Sequence, residues 1–211
     1  MNQPSVDRIA EVFDRNATRY DRQIARFEQV VLGSARNWAV AQARGKVLEI
    51  AVGTGLNLPL YGENVDKVIG IDLSQGVLDI AEKRTHREDL VVELERGDVQ
   101  KLSLPDLSVD TVVSTYSFCT IPDPARACEE AMRVLVPGGR FVLAEHGPST
   151  SPLVRAVMKA VEPLSVRFGA DHLLRDPLQY LERAGFEIVE SSRGGRGGVT
   201  FRVLANKPAG R

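Results

Sequence analysis

The chain is 211 residues long, with 27 Lys and Arg against 28 Asp and Glu and a formal net charge of −1. That length suits one α/β domain with a sizeable core and leaves no second substrate domain, while the charge balance excludes a protein held mainly by polyanion contacts, so no nucleic acid is expected as partner. Two cysteines and three scattered histidines give no metal-ligand spacing, residues 2–7 carry no signal-like apolar core, and no run approaches the ~18 apolar residues of a spanning helix, so the expected place is the cytoplasm.

In chain order, residues 5–44 show helical spacing through Ile9, Val12 and Phe13, then Tyr20, Ile24, Phe27, Val30 and Val31, then Trp38. Strands at 46–51, 67–71, 91–96, 109–115 and 140–145 then alternate with helices near 55–60, 75–86, 124–135, 151–168 and 176–184. Pro122-Asp123-Pro124 opens the helix at 124–135, with Asp123 as its N-cap. After Gly185, residues 186–191 and 200–205 form a terminal antiparallel hairpin. Its Arg193-Gly194-Gly195-Arg196-Gly197-Gly198 connection reads as a hairpin loop, not as an RNA-binding segment. The pattern predicts an α/β, doubly wound, mostly parallel seven-stranded sheet. Residues 45–206 are its core, residues 1–44 a helical lid, and 1–211 a single domain.

The chemistry is concentrated in Val47-Leu48-Glu49-Ile50-Ala51-Val52-Gly53-Thr54-Gly55 and Val68-Ile69-Gly70-Ile71-Asp72. This is strand, glycine turn, helix, strand and acid, the βαβ arrangement in which a backbone approaches a nucleotide and a strand-end carboxylate meets a ribose. A dinucleotide site needs a third glycine three residues after the second, where this chain has Leu58. Pyrophosphate is therefore poorly provided for, and Glu49 beside the turn suits a cationic or amine-bearing ligand. A nucleoside with a positive tail fits. With no Tyr-x-x-x-Lys pair either, a nicotinamide-dependent reductase is disfavoured.

The segment resembles motif I of the class I S-adenosylmethionine-dependent methyltransferases, a Rossmann-like family. Ala51 stands where the first glycine is usual, and its methyl group is expected to be accommodated by a backbone at negative φ. Asp72 resembles the ribose-binding acid, Gly97-Asp98-Val99 the segment that meets the adenine amine, Asp110-Thr111-Val112-Val113-Ser114 the fourth strand, and Pro137-Gly138-Gly139 the turn before the fifth. The likeness spans roughly residues 45–206. It implies S-adenosyl-L-methionine as cofactor, with Glu49, Ala51, Gly53, Gly55, Asp72, Leu73, Asp98, Val99 and Tyr116 around it. Tyr20-Asp21 resembles the Tyr-Asp pair in the lid helix of the ubiquinone and menaquinone methylating group. On that likeness Tyr20 packs at the methionine end of the cofactor and near the chemistry; it could equally join the amphipathic face of Phe13, Ile24 and Phe27.

Methyl transfer from a sulfonium needs a placed lone pair, and a base only where the acceptor keeps its proton. Glu145 and His146, leaving the fifth strand, are the candidate bases, with His172 behind them. The Phe118–Ala125 and Leu143–Gly147 segments resemble phospholipid N-methyltransferases and lipid-associated thiol methyltransferases. This implies a lipophilic acceptor, the amine of phosphatidylethanolamine or a related lipid first, a small-molecule thiol or hydroxyl as alternative; a non-catalytic nucleoside-binding module is the reading from another class. Monomer and homodimer both stay open. The 151–168 segment carries Leu153, Val154, Val157, Met158, Val161, Leu164 and Phe168 among Arg155, Lys159 and Arg167. It could lie on the inner membrane face, but packing on the sheet is favoured, with Pro163 kinking or dividing the helix.

Overall fold

The computed structural model describes residues 5–85 and 89–210, leaving the side chains of Thr18 and Tyr20 outside the description. His86, and the Tyr20 side chain assigned above to cofactor and chemistry, thus lie outside the described residues. Seven strands, β1 (Gly45–Ile50), β2 (Val65–Asp72), β3 (Val91–Arg96), β4 (Val109–Thr115), β5 (Leu135–His146), β6 (Glu187–Gly194) and β7 (Thr200–Asn206), form one sheet in the order β3-β2-β1-β4-β5-β7-β6. The first five pair in parallel, and β7 runs antiparallel to both β5 and β6.

The apolar β-branched runs explain the sheet's interior. Val47, Leu48 and Ile50 of β1 and Val112 and Val113 of β4 are buried on both faces, as parallel strands covered by helices must be. Leu48, Ile50 and Phe141 pack toward α4 (Pro124–Val134) and α6 (Leu178–Arg183), whereas Val47, Val68 and Val113 pack on the opposite layer with Val40 and Leu78. Strand order reverses between β1 and β4, and the crevice beyond their carboxyl ends is where an open α/β sheet holds a ligand.

The predicted N-terminal helical stretch is α1 (Val6–Phe27), a π-helical turn at Glu28–Leu32 and α2 (Ala35–Ala41). Ser5 caps α1, and Asp123 caps α4 by accepting from Arg126 N at 3.1 Å. The helix expected near 55–60 is only a 3₁₀ turn, Leu58–Leu60. Pro59 lacks a donor and Gly62 follows closely, so the bonds close three residues apart, from Leu58 N to Gly55 O and from Leu60 N to Asn57 O. The next helix, α3 (Gln75–Ala81), is also shorter than expected and ends in a 3₁₀ turn at Glu82–Arg84.

α5 (Pro152–Gly169) corrects two expectations at once. It runs unbroken through Pro163, whose turn is exposed, so the carbonyl that loses its partner faces water. Most of its apolar residues do not pack on the sheet either: none is fully buried, Met158 alone among them packs half-buried against a cluster with Val142 and Ala144, and Leu153, Val157, Val161, Leu164 and Phe168 face solvent. Apolar periodicity shows that a helix has a stripe but not what the stripe faces.

Candidate active site

The glycine turn closes the crevice at β1. Gly53 and Gly55 are left-handed, at φ +57° and +77°, and a side chain at Gly53 would meet nothing closer than Ala51 O at 4.0 Å, so its missing Cβ opens directly onto the cleft. Gly55 does a different job: a Cβ there would lie 2.8 Å from Leu58 Cδ1 and 3.0 Å from Ala81 Cβ, so it lets the turn pack on α3. Ala51 does not meet the condition of a negative φ under which its methyl group is tolerated without strain. It sits at φ +53°, a conformation that costs a residue with a Cβ about 1–2 kcal/mol. Tyr116 and Ala170 are left-handed too, so three strained residues surround the site.

Ala51, Gly53, Asp72, Leu73, Asp98 and Val99 share one cleft of about 590 Å³, roofed by Ile9 and Phe13 of α1. Asp72, at the end of β2, accepts from Gly53 N and Ser74 N, both at 2.9 Å, and burial pushes its carboxyl up to about 6. Asp98 accepts from Gln100 N at 2.9 Å and Gln100 Nε2 at 2.8 Å.

Glu49 lies behind this wall. It is 2% exposed, and its oxygens accept from Asn57 Nδ2 at 2.8 Å and from the Tyr61 hydroxyl at 2.7 Å. Burial, opposed by these bonds and by the charge of Arg36, raises its carboxyl to about 7. Arg36 was not singled out in the sequence, where it is one arginine of an amphipathic helix. Its Nη1 donates to Asn57 Oδ1 at 2.7 Å and Thr115 Oγ1 at 3.0 Å, its Nε donates to Glu28 Oε1 at 2.9 Å, and its guanidinium lies 5.2 Å from the Tyr116 ring centroid. A small recess that shares Ala51 and Gly53 with the cleft has Arg36 in its wall.

A second cavity, of about 810 Å³, lies between α1 and the ends of β4 and β5 and shares Tyr116 with the first. Val12, Ile24, Phe27 and Leu32 make it apolar, and His146, Asp171 and Cys119 are polar groups in its wall. His146 Nε2 lies 3.1 Å from Asp171 Oδ1. Burial opposes a charged imidazole, but the carboxylates of Asp171, Glu145 and Glu162 outweigh it and hold the His146 pKa above its ordinary value. The Cys119 thiol is pushed up by burial and by Asp171. His172 N donates to Cys119 O at 3.1 Å, and the buried Arg175 donates to the carbonyls of Phe118 and Ile121 at 2.7 and 2.6 Å, which locks the Cys119 loop to the Asp171 segment. Among the named bases, Glu145 is fully buried and lines neither cavity. It accepts from Ser114 Oγ at 2.6 Å and Ser117 N at 3.2 Å, and burial raises its pKa. His172 faces Glu162, at 3.6 Å.

Comparison with known proteins agrees with this geometry. The methyltransferase domain family model matches residues 48–143. A demethylmenaquinone methyltransferase of Lactiplantibacillus plantarum is 31% identical over 71% of this chain and 67% of its own length. The chain belongs to the class I S-adenosylmethionine-dependent methyltransferases. A phosphatidylethanolamine N-methyltransferase of Cereibacter sphaeroides is 40% identical over 60% of this chain and 63% of its own. The methyltransferase bound to the Trm112 activator of Haloferax volcanii superposes with a TM-score of 0.77 at 20% identity, covering 96% of this chain and 99% of that one, a likeness of fold.

S-adenosylmethionine is therefore the cofactor of this methyltransferase, and it supplies an electrophilic methyl group on sulfur. The cleft fits it: the open space at Gly53, the Asp72 carboxylate and the Arg36 cation are the features that a nucleoside with an amino-acid tail needs. In this methyltransferase α1 is tied beside the cleft to the two ends of α3 and to the glycine turn. Asp14 of α1 accepts from Ser74 Oγ and, at 2.9 Å, from Gly76 N, while Asp21 accepts from Thr54 Oγ1 at 2.6 Å and pairs with Arg84. Asp21 thus belongs to the lid contact, beside the Tyr20 whose side chain is outside the description.

Proposed function

We propose that this methyltransferase transfers the methyl group to a lipophilic small molecule, the amine of phosphatidylethanolamine or a related lipid, held under α1. In this reading Asp72 accepts both ribose hydroxyls, and Asp98 accepts from the adenine amine, with Leu73 and Val99 against the base. Ala51, Gly53 and Gly55 bring the backbone close to the methionine tail, whose carboxylate goes to Arg36 and whose ammonium goes to the side of Glu49. Tyr116 divides the two compartments, and Tyr20, on α1, remains assigned to the methionine end.

The observation that carries the acceptor half is the His146–Asp171 pair, a proton-accepting dyad set in a largely apolar cavity that meets the cofactor cleft at Phe13, Tyr116 and Thr120. A lipid amine reaches neutral water as an ammonium and must lose a proton before its lone pair can attack. Asp171 attracts the ammonium, and His146, tuned upward by that carboxylate, takes the proton near neutral pH. Glu145 acts at one remove, ordering the Ser114–Ser117 turn. Orientation supplies the larger part of the acceleration, up to about 7–11 kcal/mol in well-placed systems. The likeness to a phosphatidylethanolamine N-methyltransferase supports the amine, and a peripheral place at a membrane follows from such an acceptor. No helix among the described residues is long and apolar enough to cross one.

The test is transfer of labelled methyl from S-adenosylmethionine to phosphatidylethanolamine in detergent micelles, beside an alkyl thiol and a phenol. Label in the lipid, falling about 10²-fold or more in His146→Gln, is the expected result. Label only in the thiol or the phenol would replace the amine as acceptor, and label in none would sink the lipophilic reading.

A further inference from the structure

A surface helix of a globular protein normally turns its apolar stripe to the core. α5 does the reverse. Leu153 is 77% exposed, Val157 57%, Leu164 62% and Phe168 70%. At 3.6 residues per turn these four side chains fall within about 60° of one another around the helix axis, so they form one continuous stripe. The side facing the protein packs half-buried Met158 against the core and adds polar contacts. Glu162 accepts from Leu174 N at 3.1 Å and pairs with His172, which leaves the stripe turned to water. Arg167 borders it, about 40° from Leu153 around the axis.

The stripe is continuous with the way into the acceptor cavity. Arg8 Nη2 of α1 donates to Arg167 O at 2.8 Å at the carboxyl end of α5. There the two helices form a cleft lined by Arg8, Val12, Asn16, Arg167 and Phe168 and by Arg15, whose charge is paired with Glu11 at 3.5 Å. Val12 and Asn16 also line the cavity that holds His146.

We infer that α5 docks on an anionic phospholipid surface, with the Leu153–Phe168 stripe in the headgroup–acyl boundary, Arg8 and Arg167 against lipid phosphates, and the acceptor passing between α1 and α5. Charge decides the occupant. A second copy related by a two-fold axis would bring the same cations against these, whereas lipid phosphates neutralise them. Docking stands on this surface alone; only the passage of the acceptor rests on the function proposed above.

The experiment is co-sedimentation of the full chain with vesicles of phosphatidylcholine alone and with about 30 mol % phosphatidylglycerol. Binding to the anionic vesicles is expected. Leu164→Asn with Phe168→Asn should weaken it about tenfold or more, and Arg167→Gln should weaken it on anionic vesicles. Cofactor affinity and the unfolding midpoint should stay unchanged in both variants, which separates lost docking from lost folding. Wild-type protein left in the supernatant with both vesicles, or variants that sediment like wild type, would overturn the inference. So would a concentration-dependent dimer in solution that the Leu164→Asn and Phe168→Asn substitutions dissolve. Methyl transfer to micellar acceptor is read separately in every variant, so failure of docking and failure of the acceptor reading are distinct results.

Discussion

The 3.1 Å contact between His146 Nε2 and Asp171 Oδ1 joins the end of β5 to the segment after α5 and puts a titratable pair in the wall of the lid cavity. Burial alone would lower the His146 pKa; Asp171, with Glu145 and Glu162, reverses the sign. Asp171→Asn should therefore drop the His146 pKa by about tenfold or more in proton affinity, toward or below its ordinary value. A proton NMR titration of the imidazole checks this, and an unmoved pKa would mean that the carboxylate does not govern the histidine.

Stability should fall as pH rises from about 5 to about 8. Glu49 at about 7, Asp72 at about 6 and the upshifted His146 all bind protons more tightly folded than unfolded. Each contributes stability that is fully present below its unfolded pKa and is lost as pH passes its folded one. Asp14, Glu130 and Asp171 are shifted down, so their contributions vanish only on acidification below the ordinary carboxylate range. The expected loss between the two pH values is on the order of a few kcal/mol, because a tenfold tighter proton is worth about 1.4 kcal/mol. Denaturant unfolding at both pH values measures it, and a flat profile would contradict the buried environment of Glu49 and Asp72.

Two swaps in the glycine turn should have opposite signs. Ala51→Gly relieves a left-handed alanine and should stabilise by about 1 kcal/mol, or roughly 2–4 °C in Tm. Gly55→Ala adds a Cβ against Leu58 and Ala81 at φ +77° and should destabilise by about 1–3 kcal/mol. Thermal unfolding of the two variants decides it.

Asp21→Asn breaks the ion pair with Arg84 and weakens the bond to Thr54. Both partners are about one-third exposed, so the global cost should stay near 1 kcal/mol. The local effect should be larger. Amide exchange along Val6–Phe27 should rise while that of β1 and β4 is unchanged, and a uniform rise across the sheet would show that the contact does not act on the lid.

The strands, their alternation with helices and the strand-end acids were legible because each is a short-range signal: an apolar run, a glycine turn, a carboxylate after it. Asp72, Asp98 and Asp123 stand where their neighbours in sequence implied. What the chain did not reveal depends on tertiary partners. Asp171 meets His146 only because the segment after α5 is tied back to Cys119, and Arg36 becomes a buried hub only once Asn57, Thr115 and Glu28 close around it. The positive φ of Ala51 and the outward stripe of α5 are likewise set by what surrounds them, and neither residue type nor periodicity reports that.

The proposed division into a cofactor cleft and an acceptor cavity, adjoining at Tyr116, requires that Asp72 and His146 act on different ligands. Calorimetric titration of S-adenosylmethionine into Asp72→Asn and His146→Gln distinguishes them. The first substitution is expected to raise the cofactor Kd about tenfold or more, from the loss of charge-assisted bonds at the cleft, and the second to leave it at the wild-type value. Equal weakening by both, or weakening by His146→Gln alone, would refute the division.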